Sequence, residues 1–241
     1  MSATLEIMRA PRILIVIPAY NEEKSVAAVA REALASAPGV EVLVVDDCST
    51  DRTAAILAAE GINHVSLPVN LGIGGAVQTG FLYAWEKGHD IVMQVDGDGQ
   101  HPPAQIPQLL QAMREEGLDA VIGSRYAAGS QIVSSWARRL GGGLLGALIR
   151  LATGQRVTDP TSGFRAYNRH ALEYLRRHYP QEYPEPIIAI DLLRNGFRLG
   201  EVPILMKERE HGASSITGLD TLLYMIKVIF AIIIVKIRRR R

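Results

Sequence analysis

The residues with the most chemical potential are Asp96 and Asp98. They lie in the run Gln94-Val95-Asp96-Gly97-Asp98-Gly99-Gln100-His101-Pro102-Pro103, where an apolar strand expected over Asp90–Val95 breaks into a glycine-rich turn. Residues two apart share one face of an extended chain, so both carboxylates point the same way, and the glycines let a ligand come close. A hard divalent ion such as Mg²⁺ or Mn²⁺ takes oxygen ligands and is commonly held by one or two carboxylates plus substrate phosphates. Gln100 offers a third oxygen. A plainer role is also open, because acidic turns often solvate themselves or cap a helix, here the one that Pro102 and Pro103 would begin.

The elements that must position this turn follow from hydrophobic patterning. Ile13–Ile17 and Glu41–Val45 are short β-branched runs, each followed by turn residues and a helical pattern, Glu22–Ala35 and Thr53–Glu60. A third strand, Val65–Leu67, precedes a helix over Ile73–Lys87. A fourth, Ile91–Val95, leads through the acidic turn to a helix near Gln105–Glu116, and Ala120–Ile122 makes a fifth. Continuous apolar strands alternating with helices predict an α/β fold, a mostly parallel central sheet with helices on both faces. Ligands bind such sheets beyond the carboxyl ends of the strands. The first four strands end there in polar clusters: Pro18–Glu22, Asp46–Asp51, Asn70-Leu71-Gly72 and the Asp96 turn. Helix capping is an alternative role for Asn21, Ser49 and Asp51. The adjacent Asp46 and Asp47 need a ligand or a donor to offset their repulsion.

The chain has 241 residues, enough for one α/β domain with a full core, and its net charge of +1 conceals an uneven distribution. The last six residues, Lys236-Ile237-Arg238-Arg239-Arg240-Arg241, carry five positive charges and no acid. A single cysteine, Cys48, excludes an internal disulfide. The N-terminus enters a short apolar run with no signal-like segment, so a cytoplasmic catalytic body is expected. Nothing in the pattern points to nucleic acid.

Five segments together resemble the family 2 glycosyltransferases of the type A (Rossmann-like nucleotide-diphospho-sugar transferase) fold, and within them the polyprenyl-phosphate, dolichol-phosphate-mannose-synthase-like branch. These are Ile17–Glu22, Val44–Asp51, Asp96–Pro102, Gly123-Ser124-Arg125-Tyr126 and Asp159-Pro160-Thr161-Ser162-Gly163-Phe164-Arg165, in order over residues 13–215. The resemblance implies that Pro18, Tyr20, Glu22, Val45 and Asp47 surround the nucleoside of a nucleotide-sugar donor, with Asp47 accepting from base or ribose. Asn70 and Gly97 join that donor-binding set. It also implies that Asp96, Asp98 and Gln100 hold Mg²⁺ or Mn²⁺ on the diphosphate. Departure of a nucleoside diphosphate develops negative charge that cations must stabilise. Arg125, Arg138 or Arg139, Lys207 and Arg209 are the candidates, each with solvated surface charge as its alternative.

The turn-rich Arg156–Arg165 segment resembles the family's acceptor loop. Arg165 could meet an anionic acceptor such as polyprenyl phosphate bidentately, or Asp159 and Arg165 could pair and brace the loop. Tyr183-Pro184-Glu185-Pro186 stands eleven residues before Gly196-Phe197, a spacing at which many members of the family carry a catalytic aspartate, so Glu185 is a candidate substitute. An alcohol acceptor needs a general base, whereas a phosphate is already a nucleophile. The expected reaction is an inverting hexosyl transfer to polyprenyl phosphate, with a sugar hydroxyl and Glu185 as base in the alternative.

Two regions are expected, a catalytic domain over 1–215 and a membrane-associating helix over 216–241. Leu222–Val235 is apolar apart from Lys227. Fourteen helical residues span about 21 Å, short of the roughly 30 Å hydrocarbon core. An interfacial helix on an anionic membrane surface at the cytoplasmic face is therefore expected, or one docked on a small membrane protein, against the alternative of a buried core helix. The glycine run Gly141–Gly143 allows either close helix packing or a hinge. A nucleotidyltransferase would show a basic glycine-rich loop after the first strand. That loop here is Pro18-Ala19-Tyr20-Asn21-Glu22, with no Gly-x-Gly-x-x-Gly either. A lectin-like binding role without turnover is disfavoured by the pair Asp96 and Asp98.

Overall fold

The computed structural model describes residues 10–127, 136–206 and 227–230, with backbone alone for 136–140. Seven strands form one sheet in the order β3-β2-β1-β4-β6-β5-β7. They are β1 (Ile13–Ala19), β2 (Val40–Asp46), β3 (His64–Ser66), β4 (Ile91–Gln94), β5 (Ala120–Ser124), β6 (Arg165–Asn168) and β7 (Leu199–Pro203). The helices are α1 (Val26–Ala35), α2 (Thr53–Ala59), α3 (Gly72–Glu86), α4 (Ile106–Glu116), α5 (Trp136–Thr153), α6 (Arg169–His178) and α7 (Pro184–Arg194).

Strand alternation divides the core. Ile13, Ile15 and Ile17 of β1 pack with α1 and α4 on one face, while Leu14 and Val16 pack with α3 and α6 on the other. All seven β1 residues are buried, which is why the run has no polar position to mark a solvent face. The five expected strands all form, with ends shifted by one or two residues.

Patterning did not reveal β6, β7, α6 or α7, and of these β6 bears most on the site. It pairs antiparallel with both β4 and β5, in an otherwise parallel sheet. Reversal matters for function: the first residue of β6, Arg165, lies opposite Gln94, the last residue of β4, and Ile122, two residues short of the end of β5. The loop entering β6, residues 156–164, is thereby delivered to the same sheet edge as the Asp96 turn. A third cluster, Leu145 and Ile149 of α5 with Ile187 and Ile190 of α7, Val157 and Val228, closes that end of the domain.

The expected C-terminal helix lies outside the described residues apart from Lys227–Phe230. Lys207, Arg209 and the side chains of Arg138 and Arg139 also lie outside them. Among the described residues no helix is long and apolar enough to cross a membrane.

Candidate active site

The loops after β1 and β2 are fastened to each other. Asn21, with φ of 57°, accepts at Oδ1 from the Thr50 and Asp51 N–H groups, at 2.8 and 3.3 Å, and its own N–H donates to Ser49 Oγ at 2.9 Å. Asp51 accepts from the Thr53 N–H at the start of α2, the capping role weighed for it. The repulsion expected between Asp46 and Asp47 is offset by backbone donors. Asp46 accepts from the Ser49 N–H at 3.1 Å, and Asp47 takes the Leu71 and Gly72 N–H groups at 2.7 and 2.8 Å. Asp47 thus occupies the N-terminus of α3, where the exposed amides and the helix dipole favour an anion. Asn70 supports the same turn, donating to the Asp47 carbonyl and accepting from the Gly72 N–H.

Of the other residues implied for the nucleoside, Tyr20 is exposed and Glu22 half-buried, with the Glu22 N–H donating to Thr53 Oγ1. Pro18 is buried in β1. Val45 is sealed in the core among residues of α3, because alternation along β2 turns it away from the open edge.

At the end of β4, Asp96 is the meeting point of three elements. His101 Nδ1 lies 3.3 Å from Asp96 Oδ2, and the Gln94 amide donates to Oδ1 at 3.4 Å. His101 is buried and lies nearly parallel to Phe164, with centroids 5.5 Å apart and an interplanar angle of 14°. Gly163 presses on the carboxylate from the acceptor-side loop: a β-carbon there would stand 2.6 Å from Oδ1 and 2.7 Å from Oδ2. Burial pushes the Asp96 carboxyl up, but His101, Gln94 and the positive Arg125 outweigh it and hold the group below the usual carboxylate range. Asp96 is therefore ionised at neutral pH.

Asp98 accepts the Gln100 N–H at 3.0 Å, which folds the turn back on itself. Gly97 packs tightly, since a β-carbon there would lie 3.0 Å from the Pro18 carbonyl. The donor set suits a hard cation: two carboxylates and an amide oxygen on one turn, the first carboxylate ionised. Among the described residues no cluster of three His, Cys, Asp or Glu side chains forms a full cage. An ion held by these two carboxylates would take its remaining ligands from substrate phosphates and water.

The segment 156–165 is built around two arginines with different partners. Arg125, at the end of β5, grips Asp159 with Nε and Nη2, both at 2.6 Å, and its N–H donates to the same carboxylate at 3.0 Å. Burial alone would raise the Asp159 carboxyl; Arg125 more than reverses this and keeps it low. Glu201 on β7 fixes the loop from behind, accepting from the Thr158 and Asp159 N–H groups at 2.8 and 2.9 Å. Arg165 is 1 % exposed and donates to three carbonyls, those of Ser162, Pro160 and Glu185, at 2.6 to 2.7 Å. Two expectations are corrected here. Asp159 pairs with Arg125 and not with Arg165. The Arg165 guanidinium is enclosed by loop carbonyls and is not open to solvent, because β6 carries it inward between β4 and β5.

Glu185 stands in the first turn of α7, behind Tyr183, whose backbone adopts φ 50° and ψ 50°. Burial pushes its carboxyl up. Arg165 and a Gln94 hydrogen bond pull the other way, while the negative Asp96 adds to the rise. Gln94 therefore sits between two carboxyls of different character, an ionised Asp96 and a proton-favouring Glu185. Gln94, His101, Gly163 and Glu201 are the contributors that residue patterning missed. Only His101, three residues after Asp98, carried a local signal.

The arrangement is thus an ionised acidic turn, an Asp47 carboxylate bonded to the first amides of α3 and an arginine-braced loop, all at one sheet edge. The chain matches glycosyl transferase family 2 over residues 14–176. It belongs to that family. Polyprenol monophosphomannose synthase of Mycolicibacterium smegmatis is 33 % identical over 228 residues, covering 90 % of this chain and 85 % of the relative. Undecaprenyl-phosphate mannosyltransferase of Micrococcus luteus is 36 % identical over 223 residues, covering 86 % and 88 %. These relatives place this family 2 member with the polyprenyl-phosphate branch, and it is a glycosyltransferase. Among solved structures, glucosyl-3-phosphoglycerate synthase of Mycobacterium tuberculosis, in complex with Mn²⁺, UDP and phosphoglyceric acid, superposes with a TM-score of 0.71. That pair is 26 % identical, covering 94 % of this chain and 78 % of that one.

Proposed function

We propose that the chain transfers a hexose from a UDP- or GDP-sugar to a polyprenyl phosphate, with inversion at the anomeric carbon, using Mg²⁺ or Mn²⁺. The observation that carries this reading is the contact of Gly163 with Asp96, which joins the acceptor-side loop to the acidic turn. Support comes from the near full-length similarity to two enzymes named for polyprenyl-phosphate sugar transfer.

In this mechanism Asp47 and the α3 N-terminus fix the nucleoside end of the donor, and Asp96, Asp98 and Gln100 hold the metal. When bound, the metal neutralises charge developing on the departing diphosphate. Arg125, raised in basicity by Asp159 against the opposing effect of burial, supplies a fixed positive charge near Asp96. The acceptor phosphate is anionic and needs no proton removed before it attacks. Lys207, Arg209 and the Arg138/Arg139 pair are further candidates for phosphate contacts. The segment 216–241, associating peripherally with anionic lipids at the cytoplasmic face or docked there on a small membrane protein, completes the proposal.

Glu185 favours a second reading, transfer to a sugar hydroxyl. Burial raises the Glu185 carboxyl, the direction a general base for an alcohol acceptor requires. Both are tested by radiolabelled transfer from a panel of UDP- and GDP-sugars to a short polyprenyl phosphate with Mg²⁺ or Mn²⁺, with Asp98→Asn as control. Metal-dependent label in the lipid, lost in the variant, supports the first reading; donor turnover with no labelled lipid supports the second.

A further inference from the structure

The two most exposed large apolar side chains among the described residues are Leu151, at 73 %, and Phe230, at 62 %. They belong to elements that meet: Leu145 and Ile149 of α5 pack in one cluster with Val228. On the outward side of α5, Leu144, Ala147 and Leu151 follow at i, i+3 and i+7, a single helical face, and all three are exposed. The helix is therefore apolar on two sides, one turned to α7 and one turned to nothing in the described chain.

Charge indicates what covers the second side. From Ala120 to Thr158 the chain carries five arginines, Arg125, Arg138, Arg139, Arg150 and Arg156, and no acidic residue. Arg150 is exposed next to Leu151, and Lys227 is exposed near Phe230. Beyond Phe230 the sequence continues apolar into its five terminal cations without an acid. Exposed leucines with long cationic side chains beside them match a bilayer whose headgroups are anionic: the apolar groups enter and the cations remain at headgroup depth.

We propose that this face, Leu144, Ala147 and Leu151 of α5 with Phe230, docks on an anionic lipid bilayer, an inference that rests on the polyprenyl-phosphate reading above. Its location explains how a membrane-embedded acceptor reaches the site. Close packing joins α5 to the acceptor loop, since a β-carbon on Gly146 would stand 2.4 Å from the Val157 carbonyl. Thr158 and Asp159 follow directly. A helix lying on the headgroups thus holds the Arg125–Asp159 loop at the membrane surface, where the acceptor phosphate is found.

The test uses the full chain and vesicles of phosphatidylglycerol with phosphatidylcholine, against phosphatidylcholine alone. In a Cys48→Ser background, an environment-sensitive fluorophore is placed at Leu151→Cys, and as control at Leu34→Cys on α1, exposed but outside this face. A blue shift at 151 with the anionic vesicles, and none at 34, is expected. Unchanged emission at 151, whether or not the protein sediments with vesicles, overturns the proposal and moves the contact elsewhere or to a protein. The double variant Leu144→Gln/Leu151→Gln should sediment with the anionic vesicles less than the unaltered chain, the remaining binding being that of segment 216–241, yet keep transfer to a water-soluble short-chain polyprenyl phosphate; undiminished sedimentation contradicts the proposal. Failure of the unaltered enzyme to label that soluble acceptor would instead count against the polyprenyl-phosphate reading itself.

Discussion

Gly163 lies so close to Asp96 that a single added β-carbon would sit within 2.7 Å of both carboxylate oxygens. One loop residue therefore sets where the acidic turn can aim its first carboxylate. Gly163→Ala should rotate Asp96 off its position, at about 1–3 kcal/mol of stability as overpacking usually costs. Mn²⁺ affinity, measured by electron paramagnetic resonance in the presence of UDP, should weaken. Unaltered affinity would show that the contact has no bearing on the metal.

His101 holds the other side of the same carboxylate from a buried position against Phe164. Partners that orient a metal-bound group are typically worth about 10–100-fold in affinity. His101→Asn should reduce Mn²⁺ affinity by that order. It should also move the acid limb of metal binding to higher pH, because Asp96 loses the leading influence that keeps it low. A titration of binding against pH in both proteins checks the direction.

The Arg125–Asp159 pair is the main electrostatic brace of the acceptor loop, with Asp159 fully buried. Arg125→Ala leaves that carboxylate without its guanidinium, and breaking such pairs costs about 3–5 kcal/mol. For a chain of this size that is a fall in Tm of roughly 6–20 °C. Asp159 titrates below its unfolded value of about 3.9, so its contribution is complete above that pH and is lost as pH falls through the lower folded value. Acid unfolding of Asp159→Asn should accordingly lack part of the low-pH loss; denaturant melts between pH 2 and 5 measure it.

Glu185 separates the two acceptor readings. If the acceptor is a phosphate, Glu185→Gln should keep transfer within about tenfold, since no proton has to be abstracted. A general base would be worth about 10²–10⁴-fold, and its loss would also abolish an acid limb lying above the ordinary glutamate range, because burial raises this carboxyl. Single-turnover rates against pH for both proteins decide between these.

The strands that carry the site were legible because each is a short continuous run, buried on both faces and ended by polar residues. β1 and β2 were thus readable from composition alone. Asp96 and Asp98 were legible because their relationship is local. By contrast, β6 is four residues long and begins at Arg165, inside what reads as turn, and its antiparallel place between β4 and β5 depends on partners far away in the chain. The same distance hid the partner of Asp159. Arg165 was near in sequence and suggested itself, whereas Arg125, 34 residues earlier, forms the pair. Gly163 read as turn chemistry, and only the assembled loop shows which carboxylate it accommodates.

The most direct test of the central claim is ³¹P NMR of the lipid recovered after reaction with the preferred nucleotide sugar and a short polyprenyl phosphate. The account predicts that the phosphomonoester signal is replaced by a phosphodiester coupled to the anomeric proton, with the anomeric configuration opposite to that of the donor. An unchanged monoester while the donor is consumed, or a phosphodiester with the donor's configuration retained, would contradict it.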